Sequence, residues 1–257
     1  MSDDIVLKTI EGWQWFAYVP PEARQWLAER ASVREIAKGK MIFSPGDAVE
    51  AVFGVISGSF RIYLINHRGD EITMEEVVAG GWFSHYAPQP QPRHLLHCVC
   101  QHAGRVVVAP HLVLVEFAER WPQYYKGLYD EFTARAIAVF ARLELLSLHN
   151  TNVRFAVYLL RMARVRGRAE ADGSVRIDHD ESQSEIGSRI GATRQRVNGV
   201  IASWTRRGII EVSKDCILVR DVATLRSEAC KTGFDLDGYL SAWHYGWQGN
   251  ALQNVSR

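Results

Sequence analysis

Residues 182–207, SQSEIGSRIGATRQRVNGVIASWTRR, bring together the side chains best suited to reading a nucleic acid: Ser182, Gln183, Thr193, Arg194, Gln195, Arg196 and Asn198. A guanidinium matches the O6/N7 edge of guanine, and an amide matches N6/N7 of adenine. Hydroxyl and charged groups take phosphate oxygens. Such contacts need a rigid support, and the spacing provides one. Ser182 and Glu185 form a capping box, each satisfying a free backbone N–H of the other. Ile186 and Ile190 then face inward, and Gly191 permits a tight exit. Thr193 caps a second helix, in which Val197, Val200, Ile201 and Trp204 recur at i, i+3, i+4 and i+7. Arg194, Gln195, Arg196 and Asn198 occupy its other face, in the first turns. The N-terminal half of a recognition helix is the part that reaches base edges.

After Gly208 the period changes. Ile209 to Val212 and Cys216 to Val219 are apolar runs around Ser213-Lys214-Asp215, which predicts a hairpin with a lysine at its tip. A helix-turn-helix followed by such a hairpin is a winged helix, with Lys214 near a phosphate.

A second group of reactive residues is His85, His94, His97, Cys98, Cys100 and His102. Imidazole and thiolate suit zinc or haem iron. On a strand, however, His97 projects opposite Cys98 and Cys100, which divides the group between two faces. The expectation is buried cysteines and incidental histidines, with no metal and no cofactor. No nucleophile–base pair or phosphate loop at standard spacing is present, so the sequence does not read as an enzyme.

The supporting elements follow from composition. A chain of 257 residues holds one or two domains at roughly 100–200 residues each. The formal charge is +1, but the basic residues are uneven: Arg154, Arg161, Arg164, Arg166 and Arg168 precede the helix-turn-helix. Neither a signal peptide nor a membrane span is read, and four cysteines in this length are no disulfide framework. A cytoplasmic protein is expected. From Ala37 to Phe117 short β-type runs alternate with glycine turns, predicting an antiparallel barrel or roll. Residues 122–163 are nearly free of glycine and proline and predict a long helix followed by a second. In the first, Phe132, Ala136, Val139, Leu143 and Leu146 are spaced 4-3-4-3, like the seam of a coiled coil. Such a seam beside a DNA-reading motif predicts a two-fold dimer. Beyond residue 225, Phe234, Leu236, Tyr239, Leu240, Trp243, Tyr245 and Trp247 are too many apolar and aromatic residues for a disordered tail. The helix-like stretch 235–244 is expected to pack on the body of the protein, as are Trp13, Trp15 and Trp26. Docking of the tail on a partner such as RNA polymerase, or swapping between subunits, is the lesser alternative.

Residues 30–225 resemble the Crp/Fnr transcription regulators. The resemblance is carried by Lys38-Gly39-Lys40-Met41-Ile42-Phe43, Pro45-Gly46-Asp47, Val55-Ile56-Ser57-Gly58-Ser59, Gly69-Asp70-Glu71-Ile72 and Ala79-Gly80-Gly81-Trp82-Phe83. It continues in Glu185-Ile186-Gly187, Ile190-Gly191, Thr193-Arg194-Gln195 and Arg207-Gly208-Ile209-Ile210. It implies an effector-sensing β-roll, a long dimerisation helix and a winged helix, working as a homodimer. Members that bind cyclic nucleotides carry Gly-Glu after the Trp-Phe position, then Arg followed by Ser or Thr. Here Ser84-His85 replaces Gly-Glu, three alternate prolines follow, and Arg93-His94 comes next. Ser84, His85, Arg93 and His94 are therefore the candidate effector pocket, and cyclic AMP is not the expected effector. Relatives read DNA with Arg-Glu and a later Arg, whereas this chain has Arg194-Gln195, and Gly199 where the later Arg is often found. Its operator should differ accordingly.

The sequence thus predicts an α+β protein with a β-roll sensor over residues 1–120 and a dimerisation helix and hinge over 121–165. A winged helix-turn-helix over 166–225 and a C-terminal extension over 226–257 follow. The expected partners are double-stranded DNA, a second copy of the chain, a small-molecule effector and RNA polymerase, and no membrane. A second reading stays open: a ligand- or metal-binding β-roll protein whose winged helix is an interaction module rather than a DNA reader.

Overall fold

The structure, a computed structural model, describes residues 2–84, 92–179 and 181–242. These form two compact units, divided within the chain after Ala136.

The N-terminal unit begins with α1 (Ser2–Glu11), a 3-10 turn (Gln14–Phe16) and α2 (Pro21–Ala28). Six strands follow: β1 (Ser32–Ile36), β2 (Met41–Phe43), β3 (Ala51–Ile65), β4 (Glu71–Val78), β5 (Trp82–Phe83) and β6 (His97–Pro110). They pair antiparallel in the order β1-β6-β3-β4, with β2 on β6 and β5 on β3. Helix α3 (His111–Arg120) and the first part of α4 (Tyr124–Leu148) complete the unit. Side chains on a strand alternate faces, and this sheet is covered on both. Val106 and Val108 point into the roll with Phe43, Phe53, Phe60, Phe83, Cys98 and Cys100. Val107 and Ala109 point the other way, onto Trp13, Trp15, Phe16, Leu27, Phe117 and Tyr124. Two-sided burial explains the unbroken apolar run in β6. Trp13 and Trp15 are buried and Trp26 partly so, as their composition implied.

The C-terminal unit is built around α5 (Thr151–Arg166), whose Phe155, Ala156, Leu159, Leu160 and Ala163 are buried. Asn150 starts it, the side-chain oxygen accepting from the Asn152 and Val153 amides. Next come β7 (Gly167–Ala169), β8 (Val175–Asp178), α6 (Gln183–Ile190), α7 (Arg194–Arg206), β9 (Ile210–Val212), β10 (Cys216–Val219), α8 (Val222–Cys230) and α9 (Leu236–Ala242). The wing sheet runs β7-β8-β10-β9. In its first hairpin β7 has no large apolar residue and β8 alternates only over Val175 and Ile177, both buried, which is too short a pattern to announce a strand pair. A turn at Asp172, whose carboxylate takes the Ser174 amide and hydroxyl, closes it instead.

The segment 121–165 is distributed differently from the expectation: α4 runs from one unit into the other, and α5 is the centre of the C-terminal core. The extension is part of that same core. Ala229, Phe234, Leu236, Tyr239 and Leu240 are all buried there, whereas Trp243, Tyr245 and Trp247 lie outside the described residues.

Of the five seam positions, Ala136, Val139 and Leu143 are exposed. Phe132 instead packs on the N-terminal core, and Leu146 is half-buried. Tyr129 and Phe140, 72% and 69% exposed, share the face of Ala136 and Leu143. The open apolar face therefore follows Tyr129, Ala136, Phe140 and Leu143. A sequence period fixes the spacing of a stripe, but which stripe is covered depends on what else packs there.

Gly187 of α6 lies directly against the turn of the helix-turn-helix: a Cβ there would stand 2.4 Å from the carbonyl oxygen of Ala192. Because the obstacle is backbone, Gly187→Ala must open the turn. It should cost about 1–3 kcal/mol, measured as a lower denaturant midpoint with unchanged m-value.

Candidate nucleic-acid interface

The helix-turn-helix begins at Ser182, whose hydroxyl accepts from the Glu185 amide at 3.2 Å while the Glu185 carboxylate accepts from the Ser182 amide at 2.6 Å. Helix α6 closes on Gly191 in the left-handed region, φ 61° and ψ 43°, where glycine lacks the Cβ penalty. The Ala192 amide returns to the Gly187 carbonyl at 2.9 Å. Thr193 caps α7, its hydroxyl accepting from the Arg196 amide. Val197, Val200, Ile201 and Trp204 are buried, and Trp204 packs on Phe155 of α5 at 5.4 Å between ring centroids.

The opposite face is polar and open. Arg194, Gln195, Arg196, Asn198 and Ser182 are exposed, and Gln183 is half-buried. The Gln183 amide donates to the Asn198 side-chain oxygen at 3.5 Å, tying the start of α6 to α7 across this face. Behind them Gly199 meets nothing within 4 Å and Ala202 is exposed, so the surface there is low. Lys214 is exposed at the tip between β9 and β10, as the period change implied. Among the described residues, no carboxylate pairs with Arg194, Arg196 or Lys214. The structure thus brings the predicted helix residues onto one surface and places Lys214 on the hairpin of the same unit.

What holds α6 in place was not among the sequence candidates. Glu181, buried, receives the Tyr158 hydroxyl at 2.6 Å, Arg189 at 2.7 and 3.0 Å and Arg166 at 3.3 Å. Burial by itself would raise this carboxyl's pKa. Arg189, the Tyr158 hydroxyl and Arg166 outweigh that and hold it below the ordinary carboxylate value. Burial, reinforced by the Glu181 charge, pushes the Tyr158 phenol well up. In sequence Glu181 is one acid beside a cap, with no spacing signal to link it to residues 15 and 23 positions earlier.

Three of the four candidate effector residues are described, and each stands in a different setting. Ser84 is buried with φ 89°, the only non-glycine residue with positive φ among those described, and its hydroxyl has no hydrogen-bond partner among them. Arg93 is exposed and donates to the Gly46 carbonyl at 2.7 Å, pinning the Pro45-Gly46-Asp47 turn. His94 is buried, its ring stacked on Phe43 at 3.6 Å between centroids. His85 lies outside the described residues. Phe83 sits against Phe53 and Phe60 at 5.0 and 4.9 Å, so aromatic rings fill this part of the roll interior. The His/Cys group divides as its alternation implied. Cys98 and Cys100 are in the roll interior, His97 stacks on Tyr63, and His102 bonds Ser59 at 2.7 Å. Burial raises the pKa of both thiols, which disfavours thiolate.

Two family models match the two units in this order. One, described as a cyclic nucleotide-binding domain, matches residues 33–120, and the other, a Crp-like helix-turn-helix domain, matches residues 153–228. The chain belongs to the Crp/Fnr family of DNA-binding transcription regulators. Among Crp/Fnr relatives, the global nitrogen regulator of Synechocystis sp. is 25% identical over 199 residues, 76% of this chain and 88% of its own length. The CRP-like cAMP-activated global transcriptional regulator of Mycobacterium tuberculosis is 25% identical over 215 residues, 83% of this chain and 95% of its own. The structure of FixK2 from Bradyrhizobium japonicum shares the fold, with a TM-score of 0.67 at 21% identity, covering 77% of this chain and 96% of that one. The Crp/Fnr architecture of roll, long helix and winged helix is therefore the one observed. No helix among the described residues is long and apolar enough to cross a membrane.

Glu181→Ala leaves Arg189 and Arg166 without their buried acceptor and should destabilise the C-terminal unit by about 3–5 kcal/mol, read by chemical denaturation. Because the folded-state pKa is lowered, the stability Glu181 contributes is full above the unfolded carboxylate value and is lost as pH falls through the folded one. Glu181→Gln should accordingly flatten the acid side of the stability–pH curve.

Proposed function

We propose that the protein is a homodimeric transcription regulator that reads a two-fold symmetric DNA site with α7 and does not take cyclic AMP as its effector. The observation that carries the DNA reading is the exposed face of α7. Arg194, Gln195, Arg196 and Asn198 stand on a helix whose other face is buried against α5 and α6. In this reading Arg194 takes a guanine edge, Gln195 and Asn198 take adenine edges, and Ser182, Gln183, Thr193, Arg196 and Lys214 serve phosphates and register.

Dimerisation is supported by the apolar face of α4, where Ala136, Val139, Phe140 and Leu143 lie open. A seam of this kind stabilises a helix pair, and paired recognition helices meet half-sites one helical turn apart. Phe132, packed on the N-terminal core, and Leu146, half-buried and turned toward Gly191, lie outside this open face. The site of action would be the cytoplasm, where the regulator meets DNA and RNA polymerase.

Against a cyclic nucleotide stand Ser84 in place of glycine, the engagement of Arg93 with Gly46, and the His94 ring against Phe43. A guanidinium holds an anion through paired charge-assisted hydrogen bonds, and here one nitrogen is already taken. An effector of other chemistry, or activity without one, fits better. An effector acts only if it binds one dimer geometry more tightly than the other.

Selection from a random duplex library, at near-physiological salt without added ligand, should enrich a palindrome. Only salt-sensitive, sequence-blind binding would count against a regulator active without effector, and repetition with cell extract would test for one. Arg194→Ala should weaken discrimination at one base pair per half-site by about 1–3 kcal/mol. An equal loss on all sequences would make Arg194 a phosphate contact. Calorimetry with cyclic AMP and with cyclic GMP should show no binding in the micromolar range.

A further inference from the structure

The last carbonyls of a helix have no intrahelical partner and lie at the negative end of its dipole. In α6 these are the carbonyls of Arg189, Ile190 and Gly191, and two arginines from outside the helix-turn-helix meet them. Arg142 of α4, itself buried, donates from Nη2 to the Arg189 carbonyl at 3.1 Å. Arg154 of α5 donates from Nη1 to the Ile190 carbonyl at 3.0 Å and the Gly191 carbonyl at 2.9 Å.

The turn is shaped to admit them. A Cβ on Gly191 would stand 3.1 Å from Arg154 Nη1 and 3.1 Å from Leu146 Cδ2, so the missing side chain lets α4 and α5 close on it. Arg189 is held twice, its carbonyl by Arg142 and its guanidinium by Glu181. Thr193, the cap of α7, comes two residues after the last of these carbonyls. We propose that Arg142 and Arg154 are the positioning residues of the recognition helix, fixing the carbonyls from which α7 departs and so the angle at which Arg194, Gln195 and Asn198 meet a groove. The inference deepens the DNA-reading function proposed above and rests on it.

The chemistry favours arginine in this place. Hydrogen bonds from an ionised donor are stronger and shorter than neutral ones, and the planar guanidinium is preorganised where a lysine ammonium is not. Arg154 also stays where its charge is disfavoured, first by burial and then by the like charge of Arg196. The two carbonyls offset part of that cost. Arg142 gives α4, the helix with the open apolar face, a direct hold on the DNA-reading unit.

The test uses the full chain with Arg142→Met, Arg154→Met and the two lysine variants, titrated against the selected operator and a random duplex over a range of salt. Hydrogen exchange of residues 188–197 is followed without DNA. Each Met variant should lose about tenfold in operator affinity, with random-duplex affinity and salt slope unchanged, and with faster exchange in 188–197. The lysine variants should recover part of the loss. If operator and random-duplex affinity fall together and the log–log salt slope drops by about one, the arginine is a phosphate contact and the proposal fails. Unchanged operator affinity overturns it as well. Should a Met variant not fold, its lysine variant decides: a partial loss supports the proposal and wild-type affinity overturns it. If the unaltered protein selects no operator either alone or with cell extract, the DNA reading itself falls. The exchange data then judge the positioning alone, and unchanged protection in 188–197 overturns it.

Discussion

A carboxylate removed from water must be matched by donors, or it would take up a proton or unfold its surroundings. Glu181 is in that position, and the C-terminal unit is arranged around it. Its donors come from α5, through Tyr158 and Arg166, and from α6, through Arg189. The residue that follows it is the cap of α6. One charge therefore fixes where α6 begins relative to α5, and the capping box and Gly191 fix its length. Helix α7 has little freedom left: its apolar face is filled by Trp204 against Phe155, and its start is fixed by the turn. The exposed polar face is the remainder after these constraints are satisfied.

The N-terminal unit uses aromatic stacking for the same purpose. Trp15 lies between Trp13 and Trp82, at 5.3 and 4.5 Å between ring centroids, and the Arg135 guanidinium covers Trp82 at 4.0 Å. Arg135 also donates to the Trp82 carbonyl and pairs with Glu131 and Glu75. The backbone leading into Ser84 is thus held by a residue of α4. Stacked rings with a cation over one face add dispersion and electrostatic attraction to simple burial.

Legibility in the sequence followed the range of the interaction. The capping box at Ser182, the left-handed Gly191, the four buried positions of α7 and the wing hairpin are local, set by residues within a turn or two of one another. All were readable, as was the division of Cys98 and His97 between two faces of a strand. Glu181 with its arginines, and Trp82 with Arg135, are long-range pairs that leave no period behind. The β7–β8 hairpin was missed because β7 carries no large apolar residue and the alternation in β8 spans only Val175 and Ile177, which is too short to show without β10 beside it. In α4 the spacing was right, but coverage by the N-terminal core withdrew Phe132 and left Phe140 open. At the effector loop the substitutions at 84 and 94 were visible, while their effect, a ring stacked on Phe43 and a strained serine, needed three dimensions.

The Crp-like match ends at residue 228, yet Phe234, Leu236, Tyr239 and Leu240 are buried in the same core as α5 and α7. What lies beyond the matched domain is part of its foundation. The DNA-reading half of this chain is consequently not an exchangeable module with the boundaries its family suggests. A chimaera joined at 228 would expose an apolar floor beneath α5, and a nonsense mutation in the 230s would act as a folding lesion rather than the loss of a regulatory tail.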